Sequence, residues 1–268
     1  EMSASLVGSE MCIRDSYNSN NGMNGNSIND IFVDDEERVW LANYPIGITI
    51  QNNRYTGYKW IKHSIGNKQS LINDQVNAII EDRDGDLWFA TNNGISFLNS
   101  KTGQWRSVLS SFEESQGNKS HIFLTVCEVA PGIIWAGGYS SGAYQIDKKT
   151  FSVSYFMPPL YTHSNKRPDK YIRDIRTDMQ GYIEKDEKSM WIGSAAGLCL
   201  LDKESGKFER IKLPVESSYI YSLYQAKNGS LYIGTSGSGL LIYDVNKKLF
   251  THYHSENCAL ISNNIYTC

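Results

Sequence analysis

Glu81-Asp82-Arg83-Asp84-Gly85-Asp86-Leu87-Trp88-Phe89-Ala90-Thr91-Asn92-Asn93-Gly94 is the stretch on which the fold of this chain turns. Asp84-Gly85 between two apolar runs is a strong hairpin signal, because both residues tolerate positive φ. Leu87-Trp88-Phe89-Ala90 then reads as a strand, and Gly94 as the turn that ends it. Three bulky apolar residues in a row load both faces of that strand. A sheet with one wet face would alternate, so this one is expected to be covered on both sides.

The same order recurs outward in both directions. Before the turn comes a strand over residues 74–82. After it come Ile95-Ser96-Phe97-Leu98, a turn at Lys101-Thr102-Gly103, and Trp105-Arg106-Ser107-Val108-Leu109. Similar quartets surround Trp40, Trp135, Trp191 and Tyr232. The separations between these anchors are 48, 47, 56 and 41 residues, with the extra length falling in loops, where it costs little. Four strands per unit at a period of roughly 40–50 residues is the signature of a β-propeller. The expected architecture is all-β: four-stranded antiparallel blades at about 17–66, 67–115, 116–166, 167–216 and 217–258, with the next opening at 259–268. The competing reading, a β-sandwich, would need five matching units by coincidence. Helical repeats do not fit the β-branched, aromatic, turn-rich composition.

Composition agrees. Tyr numbers 17 and Gly 22, which suits short strands joined by turns. Lys and Arg number 26 against 29 Asp and Glu, for a net charge of −3. No basic block is present, so nucleic acid is not an expected partner. No apolar run approaches the roughly 18 residues that cross a bilayer, so no membrane insertion is expected within this segment. The five cysteines, Cys12, Cys127, Cys199, Cys258 and Cys268, show neither metal-ligand spacing nor a paired framework, and read as free thiols.

Residues 2–15 resemble a translated sequencing adapter, and residues 1–16 are read as a non-native leader outside the fold. Leu260 to Tyr266 stops in mid-pattern, so the chain reads as a fragment cut at both ends.

The pattern Asp82-Arg83-Asp84-Gly85-Asp86-Leu87-Trp88-Phe89-Ala90-Thr91-Asn92-Asn93-Gly94-Ile95 resembles the two-component regulator propeller repeat. So do Asn228-Gly229-Ser230-Leu231-Tyr232-Ile233-Gly234-Thr235 and Trp191-Ile192-Gly193. The resemblance covers nearly all of residues 27–266. It implies one incomplete part of a seven-bladed ring in the periplasmic sensor region of a hybrid histidine kinase, many of which detect glycan breakdown products. It implies as partners an oligosaccharide, the remaining blades and downstream sensor domains of a longer chain, and a homodimer. It implies no catalytic residue, cofactor or metal in this segment.

In a propeller the first strand of each blade lines the axis, and the loop before it shares a mouth with the loop between strands two and three. That picks out Asn29, Asp30, Asn73, Asp74, His121, Arg173 and Tyr219, and, in the second-to-third loops, Tyr44, Asn92, Asn93, Tyr139, Ser140, Ser194, Ser236 and Ser238. Amides, aromatics and an Arg suit sugar hydroxyls and ring faces. Turn chemistry alone accounts for any single Asn, Ser or Asp here. Tyr44, Tyr139 and Arg173 are the stronger candidates, because turns do not need them. With Asn92 and Asn93 they make the expected ligand site.

Asp82, Asp84 and Asp86 suggest calcium, but the helix–loop–helix calcium loop sets its Gly one position later and needs a distant Glu; a hairpin turn explains them better. His252 and His254 share a strand face, which an exposed outermost strand also explains. No nucleophile elbow is present. Asp30, Asp74 and Asp174 sit at equivalent places in three blades, so a propeller glycosidase or lyase is the alternative reading. A protein-interaction scaffold is the third.

Overall fold

The computed structural model describes residues 23–51, 58–111, 121–139, 142–156, 172–177, 188–194, 197–215 and 219–266. The leader read at 1–16, Ser140 and Cys12 lie outside the described residues. So does Cys268.

Among the described residues, twenty strands form five separate four-stranded sheets, each a meander in sequence order. Blade 1 holds β1 (Ile28–Val33), β2 (Val39–Asn43), β3 (Gly47–Gln51) and β4 (Tyr58–Ile61). Blade 2 holds β5 (Val76–Glu81), β6 (Leu87–Thr91), β7 (Gly94–Leu98) and β8 (Trp105–Val108). Blade 3 holds β9 (Phe123–Ala130), β10 (Ile133–Gly138), β11 (Gly142–Asp147) and β12 (Val153–Phe156). Blade 4 holds β13 (Ile172–Thr177), β14 (Ser189–Ser194), β15 (Gly197–Asp202) and β16 (Phe208–Ile211). Blade 5 holds β17 (Ile220–Gln225), β18 (Ser230–Thr235), β19 (Leu240–Asp244) and β20 (Leu249–Tyr253). The first strands β1, β5, β9, β13 and β17 neighbour one another in that order, so they lie nearest a common axis. The fold is the incomplete propeller that the period predicts.

The core lies between blades. Trp40, Ala42, Ile48 and Ile50 of blade 1 pack on Val76, Ile79, Leu87 and Phe89 of blade 2. Trp88, Ala90, Ile95 and Phe97 then meet Phe123, Val126, Ile134 and Ala136. Trp135 meets Met190 and Ile192, and Trp191 meets Leu231 and Ile233. The second strands of blades 2, 3 and 4 therefore send their Trp forward and its flanking residues back, which is why their sequences do not alternate. Fully burying side chains of this size contributes roughly 1.5–3 kcal/mol each.

The Asp-Gly turn is a second structural unit. Asp82 Oδ1 accepts from the backbone N–H of Asp84 and Asp86, and Oδ2 accepts Trp88 Nε1–H at 2.8 Å. Asp34 does the same for Glu36, Arg38 and Trp40 in blade 1. Lys148 of blade 3 reaches over and sets its ammonium 2.7, 2.8 and 2.9 Å from Asp82, Asp84 and Asp86. The triad that resembled a cation site is thus filled by a lysine.

The third strand ends on its own cap. Asp147, Asp202 and Asp244 each accept the backbone N–H three residues on, from Thr150, Ser205 and Lys247. Asn99 does so for Thr102.

Candidate functional site

The second-to-third loop and the loop before the first strand are joined by a repeated backbone bond. Tyr44, Asn92, Tyr139 and Ser236 donate N–H to the carbonyls of Ser27, Gln75, Ile122 and Tyr219, at 2.7–3.0 Å. A second bond runs to the following blade: Gly47, Gly94 and Gly239 donate to Asp74, His121 and Asn263. These glycines have φ of 95°, 100° and 77°, a region that favours glycine. The turn is closed from inside by Thr91, Ser194 and Thr235, whose buried hydroxyls donate to the carbonyls of Gly94, Gly197 and Gly239. The shared mouth expected from the sequence is therefore built by hydrogen bonds.

Each first strand carries a β-bulge at its mouth end. The register skips one residue in every blade: Asn29, Asn77, Leu124, Arg173 and Tyr221. A bulge removes a residue from the ladder and re-aims its side chain. Tyr266 lies beyond the last strand, in a comparable setting. It follows Ile265, which packs against Gly234 as Ile220 packs against Gly193, and Asn263 accepts Gly239 N–H as Asp74 accepts Gly47.

Neighbouring bulge residues touch. Asn29 Nδ2 donates to Asn77 Oδ1 at 3.2 Å and to Val76 O. Asn77 Nδ2 donates to Phe123 O at 2.7 Å and to Asn92 Oδ1 at 2.8 Å. At the other end of the row, the rings of Tyr219 and Tyr221 lie 5.2 Å apart, and those of Tyr221 and Tyr266 4.6 Å.

Of the residues expected at the site, Tyr44 and Tyr139 each directly follow a second strand and are 40% and 38% exposed. Asn92 is committed to Asn77 and, at 2.6 Å, to Gln75 Oε1. Asn93 Oδ1 accepts Ser111 N–H at 3.0 Å. Arg173 holds the bulge of β13. Asn77, Leu124, Tyr221 and Tyr266 were not singled out by sequence. One signal was available: each directly follows an apolar residue, in Val76-Asn77, Phe123-Leu124, Ile220-Tyr221 and Ile265-Tyr266. A bulge leaves no trace in the two-residue alternation, so the signal appears only when blades are aligned.

Of the carboxylates considered for catalysis, Asp30 and Asp74 are engaged, and the side chain of Asp174 lies outside the described residues. Asp30 accepts Ile79 N–H of the next blade at 2.7 Å and Ile31 N–H at 3.0 Å. Asp74 accepts His63 N–H. His252 meets Ser238 O at 2.6 Å. Among the described residues no cluster of His, Cys, Asp or Glu could hold a metal ion, and no helix is long and apolar enough to cross a membrane. A shallow cleft lined by Ser189, Leu200, Asp202, Phe208 and Glu209 opens at the end of blade 4 away from the mouth.

Residues 70–93 and 214–237 match the family described as Two component regulator propeller. Two stretches of the chain thus match this repeat. Both matches end in a second-to-third loop, so the repeat spans the Asp-Gly or Asn-Gly turn and the second strand. No curated protein sequence matches the chain. Among solved structures, the repeats share their fold with the extracellular domain of a hybrid two component system from B. thetaiotaomicron, at TM-score 0.73 and 23% identity. That likeness covers 99% of this chain and 32% of the other. A second such extracellular domain from the same organism aligns at TM-score 0.70 and 19% identity, over 92% of this chain and 30% of that one. This chain thus spans about a third of the length of these neighbours. Virginiamycin B lyase from Staphylococcus aureus aligns at TM-score 0.65 and 14% identity, over 86% of this chain and 71% of its own.

Proposed function

We propose that this chain is the ligand-sensing propeller segment of an extracytoplasmic two-component sensor, working in the periplasm as part of a longer chain, and that its mouth binds an oligosaccharide. The observation that carries the reading is the row of bulge residues. Five places fixed by one backbone geometry hold Asn29, Asn77, Leu124, Arg173 and Tyr221, with Tyr266 stacked beside the last, so the mouth varies in chemistry while the blades do not. Amides and phenols suit hydroxyl-rich ligands. Tyr44, Tyr139, Asn92, Asn93 and Arg173 complete the proposed site. The hydrogen bonds already made by Asp30 and Asp74 favour binding over hydrolysis, which needs two carboxyl groups free to face the scissile bond.

The test is calorimetric titration of the chain with neutral and acidic oligosaccharides, with chromatography of each mixture afterwards. Saturable binding without cleavage, accompanied by shifts of the Asn29 and Asn77 side-chain amide signals, is the expected result. Cleavage products would replace the sensor reading by the enzyme. Absence of binding, with a protein partner recovered instead, would replace it by a scaffold.

A further inference from the structure

Resting on the oligosaccharide reading above, we infer that Tyr219, Tyr221 and Tyr266 form a stacking subsite for a single pyranose ring. The three rings make a continuous row, with centroids 5.2 Å and 4.6 Å apart and interplanar angles of 54° and 38°. Tyr266 is 66% exposed at the end of it.

The fold does not require these rings. The place of Tyr219, accepting the mouth-loop N–H, is filled by Ser27, Gln75 and Ile122 in the first three blades. The bulge place of Tyr221 is filled by Asn29, Asn77 and Leu124 in those blades, and Tyr266 lies outside every strand. Backbone that accepts Ser, Gln, Ile, Asn and Leu equally well does not select tyrosine three times at one point of the mouth. A phenol supplies a flat apolar face at low conformational cost and a hydroxyl at its rim. A pyranose presents the complementary pair: a face of C–H groups edged by hydroxyls. The acidic turn at Asp82 offers no comparable site, because Lys148 already occupies it.

The experiment titrates the full chain with neutral gluco-, xylo-, manno- and galacto-oligosaccharides, and then repeats the tightest of them with variants. Tyr221→Ala and Tyr266→Ala are each expected to weaken binding about tenfold, the size of one lost aromatic stack. Tyr221→Phe and Tyr266→Phe keep the ring and are expected to stay within about threefold. Tyr253→Ala, on the outermost strand of the same blade, is expected to change nothing. Tyr266 follows the last strand of blade 5, so its loss leaves every sheet intact. Equal affinity of the Ala variants and the parent, with Asn29→Ala weakened, would overturn the stacking subsite and leave the oligosaccharide reading standing. No binding of any of the four by the parent chain would overturn both.

Discussion

Single residues carry two kinds of strain-free closure. Gly94 sits at φ 100°, and a Cβ there would lie 2.7 Å from Val108 O and 3.0 Å from Ser110. Gly94→Ala is therefore expected to lower stability by about 2–3 kcal/mol, from backbone strain and contact together. Gly103→Ala, at φ 70° with open space around it, is expected to cost about 1 kcal/mol. Urea midpoints of the two variants check the difference. Lys148 is the second case. Its ammonium neutralises Asp82 and Asp86, both nearly fully buried. Lys148→Met leaves those charges unpaired and is expected to cost about 3 kcal/mol, read as a lower urea midpoint. If the variant unfolds at the parent's midpoint, the lysine is not what holds the turn.

At the scale of the element, the turns predict an acid limit. Burial raises the Asp34 pKa, but the hydrogen bonds from Trp40 and Arg38 outweigh it and hold the carboxyl below its ordinary 3.8. Lys148 lowers Asp84 by hydrogen bond and charge. The Thr150 and Lys247 backbone N–H groups lower Asp147 and Asp244, and the Ser205 hydroxyl lowers Asp202. A carboxyl lowered in the folded state gives stability that is complete above the unfolded value and lost as pH falls through the folded one. Glu81 runs the other way, since burial and the charges of Asp35 and Asp34 raise it. With five lowered groups against one raised, the urea midpoint is expected to fall steeply below about pH 4. A midpoint unchanged between pH 5 and pH 3 would refute this. The Asp–Trp device is seen in blades 1 and 2 alone among the described residues: blade 3 has Val129-Ala130-Pro131-Gly132, blade 5 has Ala226-Lys227-Asn228-Gly229, and Trp135 Nε1 and Trp191 Nε1 are both buried without a partner among the described residues. An unmet buried donor costs roughly 1–3 kcal/mol.

The elements were largely legible in sequence, because turn glycines, paired Asp and Trp, and double-faced apolar runs are local facts about the chain. Trp88 announces its strand without help from elsewhere. The mouth was legible only in part. Tyr44 and Tyr139 stand out as aromatics where turns need none, whereas Asn77 and Tyr221 owe their position to a register skip against another strand. No spacing within one strand encodes that skip. The Lys148 contact was invisible for the same reason, since it joins residues 62 to 66 positions apart.

At the largest scale, the described residues leave apolar side chains uncovered on the sheets of blades 1 and 5. Ile31 and Val33 are 62% and 57% exposed, while Ile79, at the place of Ile31 in blade 2, is 3% exposed beneath blade 1. Tyr224 is exposed on blade 5, beside Tyr232, which stands where the other blades have Trp. Uncovered apolar sheet faces drive association. The chain alone is expected to sediment with a concentration-dependent mass, and Ile31→Lys with Val33→Lys to shift it toward monomer. A parent that stays monomeric at every concentration would count against this. The hydrogen bonds from Gly47, Gly94 and Gly239 to carbonyls of the next blade have a further consequence. A displacement at one mouth loop is handed to the following blade through main-chain atoms, in the same direction each time. Three of the five blades are thus tied to their successor by main-chain atoms, a tie that substitutions sparing these glycines leave in place.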